Sequence, residues 1–191
     1  VTRMVQEGLL PPLAMQMLSL SRTEAMHRPQ PVFTLALAQV LAHRCPHLRY
    51  LDVSEWDGFE AASLATLLAA HTIEDLQIDC TPLCAADFAA IASCASLVKC
   101  SVCNSDATDE FVVALAENAP RLTYLSLYAG EVSDVAMHAL CDGACHAHLR
   151  EVDLAYCGRV CYQAGVRLAL CCPDLLSMGH EHADLCDKNY T

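Results

Sequence analysis

The sequence predicts an α/β solenoid with a parallel sheet on its concave side, helices on its convex side and a short helical N-terminal cap. Three observations carry the prediction. A near-identical octet recurs as LAHRCPHL at 41–48, LAENAPRL at 115–122 and LALCCPDL at 168–175. Six apolar alternations of form L-x-x-L-x-L centre on residues 51, 76, 100, 125, 152 and 178, so successive spacings are 25, 24, 25, 27 and 26 residues. Between them the apolar period lengthens from about 2 to about 3.6, the change from strand to helix. A near-constant period of this size marks a repeat architecture, in which each unit buries its apolar faces only by stacking on its neighbours.

The elements follow in chain order. Residues 1–34 lie outside the repeat. There, GLLPP followed by LAMQMLSL reads as a helix with prolines in its first turn, a cap or extension over the exposed edge of the first repeat. Residues 35–180 form the array of five to six repeats, and 181–191 a C-terminal tail. The expected strands are Leu48-Leu51-Val53, Ile73-Leu76-Ile78, Leu97-Cys100-Val102, Leu122-Leu125-Leu127, Leu149-Val152-Leu154 and a degenerate Leu175-Met178-His180. Helices are expected near 60–70, 85–94, 109–118, 134–142 and 162–171. Asp87, Asp109 and Asp134 sit where a carboxylate caps a helix or favours its first turn.

Composition bounds the function. A hydrophobic content of 54% with 18% charged residues describes a folded chain, and no apolar run reaches the ~18 residues of a membrane helix. A net charge of −12 disfavours nucleic acid, whose phosphates need clustered Lys and Arg. The charge is uneven: residues 1–50 hold five Arg against two Glu, and the rest hold six basic against twenty-one acidic groups. Thirteen irregularly spaced Cys, with no secretory signal pattern at the front, suit reduced thiols in an intracellular, reducing compartment better than a disulfide framework. That compartment is expected to be the cytoplasm, with mitochondria as the alternative.

The pattern L-A-x-x-C-P-x-L-x-x-L-x-L, with Cys157 three residues after Leu154, resembles the cysteine-containing leucine-rich repeat found in F-box receptors. The resemblance covers roughly 35–180, with Ala70 and Ala119 departing at the Cys position and Cys100 at a Leu position. The size of the chain also resembles stand-alone leucine-rich assembly factors of mitochondrial ATP synthase and complex I. These resemblances imply a non-catalytic interaction module. They leave two alternatives: a structural or assembly subunit of a large complex, mitochondrial included, and the substrate-recognition part of a ubiquitin ligase.

No nucleophile elbow, zinc-protease helix or phosphate loop occurs, so no enzyme activity and no cofactor are expected. Cys100-Ser-Val-Cys103 has zinc-knuckle spacing, but strand alternation puts its thiols on opposite faces. Cys80, Cys84, Cys157 and Cys161 are expected to fill small buried sites between strand and helix. Cys141, Cys145, His146 and His148, with His180, His182 and Cys186, form a second soft cluster whose spacing fits no standard zinc finger. The candidate site is therefore a surface. Residues between the inward positions form three concave columns: Asp52, Gln77, Ser101, Ser126 and Asp153 in the centre, flanked by Tyr50, Asp75, Lys99, Tyr124 and Glu151 and by Ser54, Asp79, Cys103, Tyr128 and Ala155. From these, Tyr50, Asp52, Asp75, Asp79, Lys99, Tyr124, Tyr128, Glu151 and Asp153 are the candidate binding residues for a protein partner carrying a basic segment.

Overall fold

The computed structural model describes residues 14–21 and 32–179. Seven short strands alternate with six helices. In chain order they are β1 (Met17–Ser19), α1 (Leu35–Arg44), β2 (Tyr50–Asp52), α2 (Ser63–Ala69), β3 (Asp75–Gln77), α3 (Ala85–Ala92), β4 (Lys99–Ser101), α4 (Asp109–Asn118), β5 (Tyr124–Ser126), α5 (Asp134–Asp142), β6 (Glu151–Asp153), α6 (Tyr162–Cys171) and β7 (Ser177–Gly179). The strands pair in sequence order, all parallel. Leu18, Leu51, Leu76, Cys100, Leu125, Val152 and Met178 fall in one register line. Six of these are the strand centres read from the sequence. Strands ~4.8 Å apart stacked beside helices ~10 Å apart force the array to curve with the sheet inside.

The front segment differs from its expectation. The pattern LAMQMLSL predicts part of a cap helix, yet Met17–Ser19 is a strand that adds to β2, giving seven strands in place of five or six. The physical reason is the open edge of β2: Leu20 N donates to Asp52 O, and Arg49 and Tyr50 donate to Gln16 O, so the strand satisfies backbone groups that a helix would leave unpaired. Residues 1–13 and 22–31 of the expected cap lie outside the described residues, as do His180 and the tail.

The core runs the length of the array in columns. Leu48, Ile73, Leu97, Leu122 and Leu149 precede the strands, Val53, Ile78, Val102, Leu127 and Leu154 follow their centres, and Leu41, Leu67, Ile91, Leu115, Leu140 and Leu168 close the stack from the helices; all are buried. The first-turn acids do more than complement the helix dipole. Asp87 closes a capping box with Cys84. Asp109 accepts from the backbone N and Oγ of Ser133 at 2.7 and 2.6 Å, and Asp134 from Cys161 N at 2.7 Å. Asp109 and Asp134 thus tie their helix starts to the N-cap of the next helix.

The turn after each strand also repeats. Glu55, Cys80, Asn104, Ala129 and Tyr156, each four residues past a strand centre, all have φ between 51 and 63°. A non-glycine residue costs ~1–2 kcal/mol there. The cost is offset laterally: the N–H groups of Glu55, Cys80, Asn104 and Ala129 extend the ladder to Asp79, Cys103, Tyr128 and Ala155 carbonyls at 2.8–2.9 Å. One residue further, Thr81 Oγ1 reaches Val53 O and Cys157 Sγ reaches Leu127 O at 3.0 Å. The cysteine of the repeat pattern is here a buried hydrogen-bond donor to the preceding repeat.

Candidate functional site

The concave columns lie in register as the alternation requires. Tyr50, Asp75, Lys99, Tyr124 and Glu151 form one file across β2–β6, and Asp52, Gln77, Ser101, Ser126 and Asp153 the next. A groove of about 510 Å³ opens over the middle of the sheet. It gathers Asp75, Asp79, Lys99, Tyr124 and Glu151 from the candidate residues, with Gln77 and Ser101 from the neighbouring file. Thr123 and Arg150 also line it. They were not singled out from sequence because each sits one residue before its strand, where the two-residue alternation no longer sets side-chain direction.

The carboxylates divide into engaged and available groups. The alternation presents Asp52 as an open acid, but it is 7% exposed. It accepts from Ser19 Oγ at 2.7 Å and from Ser54 N at 3.1 Å. The added strand β1 brings Ser19 against it, which the six-strand reading did not contain. Burial pushes its pKa up, while the Ser19 and Ser54 hydrogen bonds outweigh that and hold it below the ordinary range. Asp79 accepts from Ser101 Oγ at 2.7 Å and Cys103 N at 2.8 Å, and Asp153 from Ala155 N at 3.0 Å and Ser126 Oγ at 3.4 Å. These three acids knit adjacent strands.

Asp75 and Glu151 are the acids facing the groove with the least internal engagement. Burial raises the Asp75 pKa, partly offset by Lys99, whose Nζ stands 4.0 Å away. With Lys99 and Arg150 on the walls, the groove is mixed in charge rather than purely acidic. Tyr124 lines its floor half-buried, its hydroxyl pKa pushed up mainly by burial. Tyr128 lies outside the groove lining and packs edge-on against Tyr156, ring centroids 4.9 Å apart. Tyr50 lies in the same file as Asp75 but outside that lining.

Among the described residues all twelve cysteines are free thiols. Cys100 is buried beneath the sheet, while Cys103 bonds to Ser126 Oγ at 3.0 Å, so the zinc-knuckle pair is split across the faces. Cys80 and Cys84, expected inside, are exposed. For Cys80 the cause is a one-residue offset: it occupies the left-handed turn position, and Thr81 takes the buried one that Cys157 fills three repeats later. Cys141 and Cys145 are buried, and His146 turns Nδ1 to Gly143 O at 2.9 Å. Among the described residues no group of three or more His, Cys, Asp or Glu is arranged to hold a metal ion. His182 and Cys186 of that cluster lie outside them. Burial pushes the thiols of Cys94, Cys145 and Cys172 up to about 11 and Cys141 to about 12. Alkylation followed by peptide mapping should therefore label Cys80 and Cys84 first and Cys100, Cys141, Cys145 and Cys172 only on unfolding, since the thiolate is the reactive form. Rapid native labelling of Cys100 would contradict the register of β4.

Inward leucines, a lateral turn ladder and strand–helix units in sequence order define an α/β solenoid of leucine-rich-repeat type. No family model matches the chain, and no curated protein matches it. Among solved structures it is similar to a chain in the crystal structure of the yeast Rad7 and Elc1 complex, at 12% identity and a TM-score of 0.34, over 76% of this chain and 59% of that one. The chain thus spans about three fifths of that chain's length. The fold assignment rests on the sheet register itself. Among the described residues no helix is long and apolar enough to cross a membrane.

Proposed function

We propose that this chain is a non-catalytic leucine-rich-repeat scaffold that binds a protein partner through the concave groove. The observation that carries the reading is the groove over β3–β6, where Asp75, Glu151, Lys99 and Arg150 surround the half-buried Tyr124. A rigid sheet offers these groups without reorganisation, which lowers the ordering cost of binding. Tyrosine supplies contact area with a hydrogen-bonding tip, and flanking charges set register and steer encounter. The partner's matching segment carries a basic side chain for Asp75 and Glu151, a carboxylate for Lys99 and Arg150, and an apolar anchor over Tyr124. The repeat subtype is the cysteine-containing one, acting in a reducing compartment, where the buried thiols stay reduced.

The test is capture of partners from lysate of the protein's own cells, identified by mass spectrometry and repeated with groove variants. With a purified partner, Tyr124→Ala should weaken binding by ~1–2 kcal/mol, chiefly through faster dissociation. Asp75→Asn with Glu151→Gln should lower the association rate and flatten its salt dependence, because exposed charge is screened over ~8 Å at physiological ionic strength. Wild-type binding by both variants would remove the groove as the site.

A further inference from the structure

On the convex side, the cleft between α3 and α4 has an aromatic base that the other repeats lack. Phe111, four residues before the buried Leu115, stands where the equivalent helices carry Ser63, Asp87, Ala136 and Ala164. Its ring tilts against that of Phe88, centroids 4.9 Å apart. Both rings are buried and lie at the base of a groove of about 360 Å³. The walls include the exposed Ala89 of α3 and the half-buried Ala114 of α4. Because both are small, the cleft above the rings stays unfilled. At the end where the helices start, the exposed Asp106 and Glu110 line its mouth. Neither forms an ion pair among the described residues.

Charge selects the occupant. Between Arg49 and Arg150 the chain carries no Lys or Arg except Lys99 and Arg121. Lys99 faces the concave groove, and Arg121 stands beside Glu74, beyond the other end of α4. The flanks of the cleft hold no other cation. α2 is uncharged, α3 holds Asp87, α4 holds Asp109, Glu110 and Glu117, and α5 holds Asp134 and Asp142 with His138. The positive ends of the α3 and α4 dipoles, about half a charge each, are outnumbered at the mouth by Asp87, Asp106, Asp109 and Glu110. Apolar walls in a field of one sign favour an apolar side chain joined to a cation. We propose that this groove docks a segment of a protein partner in which one or two apolar side chains stand beside Lys or Arg. The groove follows α3 from Ala85 to Ala92, about 10 Å, enough for two such side chains one helical turn or one strand repeat apart. Nucleic acid and anionic membrane are repelled at the mouth, and a second copy brings a net −12. The surface is independent of the concave groove, which opens on the other side of the sheet.

Selection of a displayed library of random peptides on the full chain in reductant tests the proposal. Enriched peptides should carry Leu, Met or Phe beside Lys or Arg. The leading peptide, labelled with fluorescein and followed by anisotropy, should bind about ten-fold more weakly to Ala89→Gln, which fills the groove. Asp106→Asn with Glu110→Gln should cost about as much and flatten the salt dependence. Ala89 is exposed, and Asn suits the left-handed φ of 55° at Asp106, so both variants should keep the wild-type Tm. Should Ala89→Gln fail to fold, the charge variant decides alone. Glu55→Gln with Asp57→Asn removes equal charge outside the groove and should change affinity less than about two-fold. A selection that enriches nothing overturns the proposal, as when a second copy or another segment of this chain fills the groove. So does one that enriches only uncharged or acidic peptides. A basic peptide whose affinity survives either groove variant binds elsewhere on the acidic surface, the concave groove included, and overturns it too.

Discussion

Leu125→Ala should lower the unfolding free energy by ~2–5 kcal/mol. Leu125 is fully buried at the centre of β5, paired in register with Cys100 and Val152 on either side. Its loss removes apolar burial and leaves a cavity that the stiff parallel ladder cannot close. Against a total of ~5–15 kcal/mol this is a large fraction of the stability. A repeat array is held by nearest-neighbour interfaces, so damage in its middle weakens the coupling between its halves. Urea unfolding followed by circular dichroism should show an earlier midpoint and a broadened transition. Leu176→Ala, whose side chain is 79% exposed, should stay within ~0.5 kcal/mol of wild type. An unshifted midpoint for Leu125→Ala would mean that the inward file is not the core.

Gly143→Ala should destabilise by ~1–3 kcal/mol through overpacking rather than backbone strain. Gly143 is the C-cap of α5 with φ −79°, a conformation open to any residue. The obstacle is proximity. A Cβ there would lie 2.7 Å from Ala116 Cβ, 2.7 Å from Ala116 O and 2.8 Å from Ala139 O. Ala116 belongs to α4, and its carbonyl accepts from Ala144 N at 2.8 Å, so the clash falls on the bond that joins the two helix ends. The double variant with Ala116→Gly removes one of the three contacts and should recover only part of the loss. Gly158→Ala, with nothing within 4 Å of the added carbon, should be neutral. Thermal unfolding that ranks Gly143→Ala with Gly158→Ala would contradict the close approach of α4 and α5.

Six of the seven strand centres, five of the six helix spans and the three concave files were legible in the residues because each rests on a local period; the helix at Leu35–Arg44 was not read. A one-residue slip would turn Leu51, Leu76 and Leu125 outward, and nothing else in the chain could replace their burial. The acids at helix starts were legible for the same reason, since a carboxylate in a first turn meets unpaired N–H groups whatever the tertiary context.

Other features depended on which repeat sits beside which. Met17–Ser19 is a strand because β2 has an open edge, and no local pattern in LAMQMLSL distinguishes that outcome from a helix. Asp52, Asp79 and Asp153 read as exposed acids until the stack brings Ser19, Ser101 and Ser126 within hydrogen-bond reach. Cys80 and Cys157 look equivalent by spacing to the next cysteine, yet a one-residue offset exposes one and buries the other. The sequence by itself determined the repeat, its register and the residues of each face, because burial imposes periods of ~2 and ~3.6 along the chain. Only the tertiary structure decided which concave carboxylates stay available, because hydrogen bonding between side chains ~25 positions apart is set by stacking, not by local order.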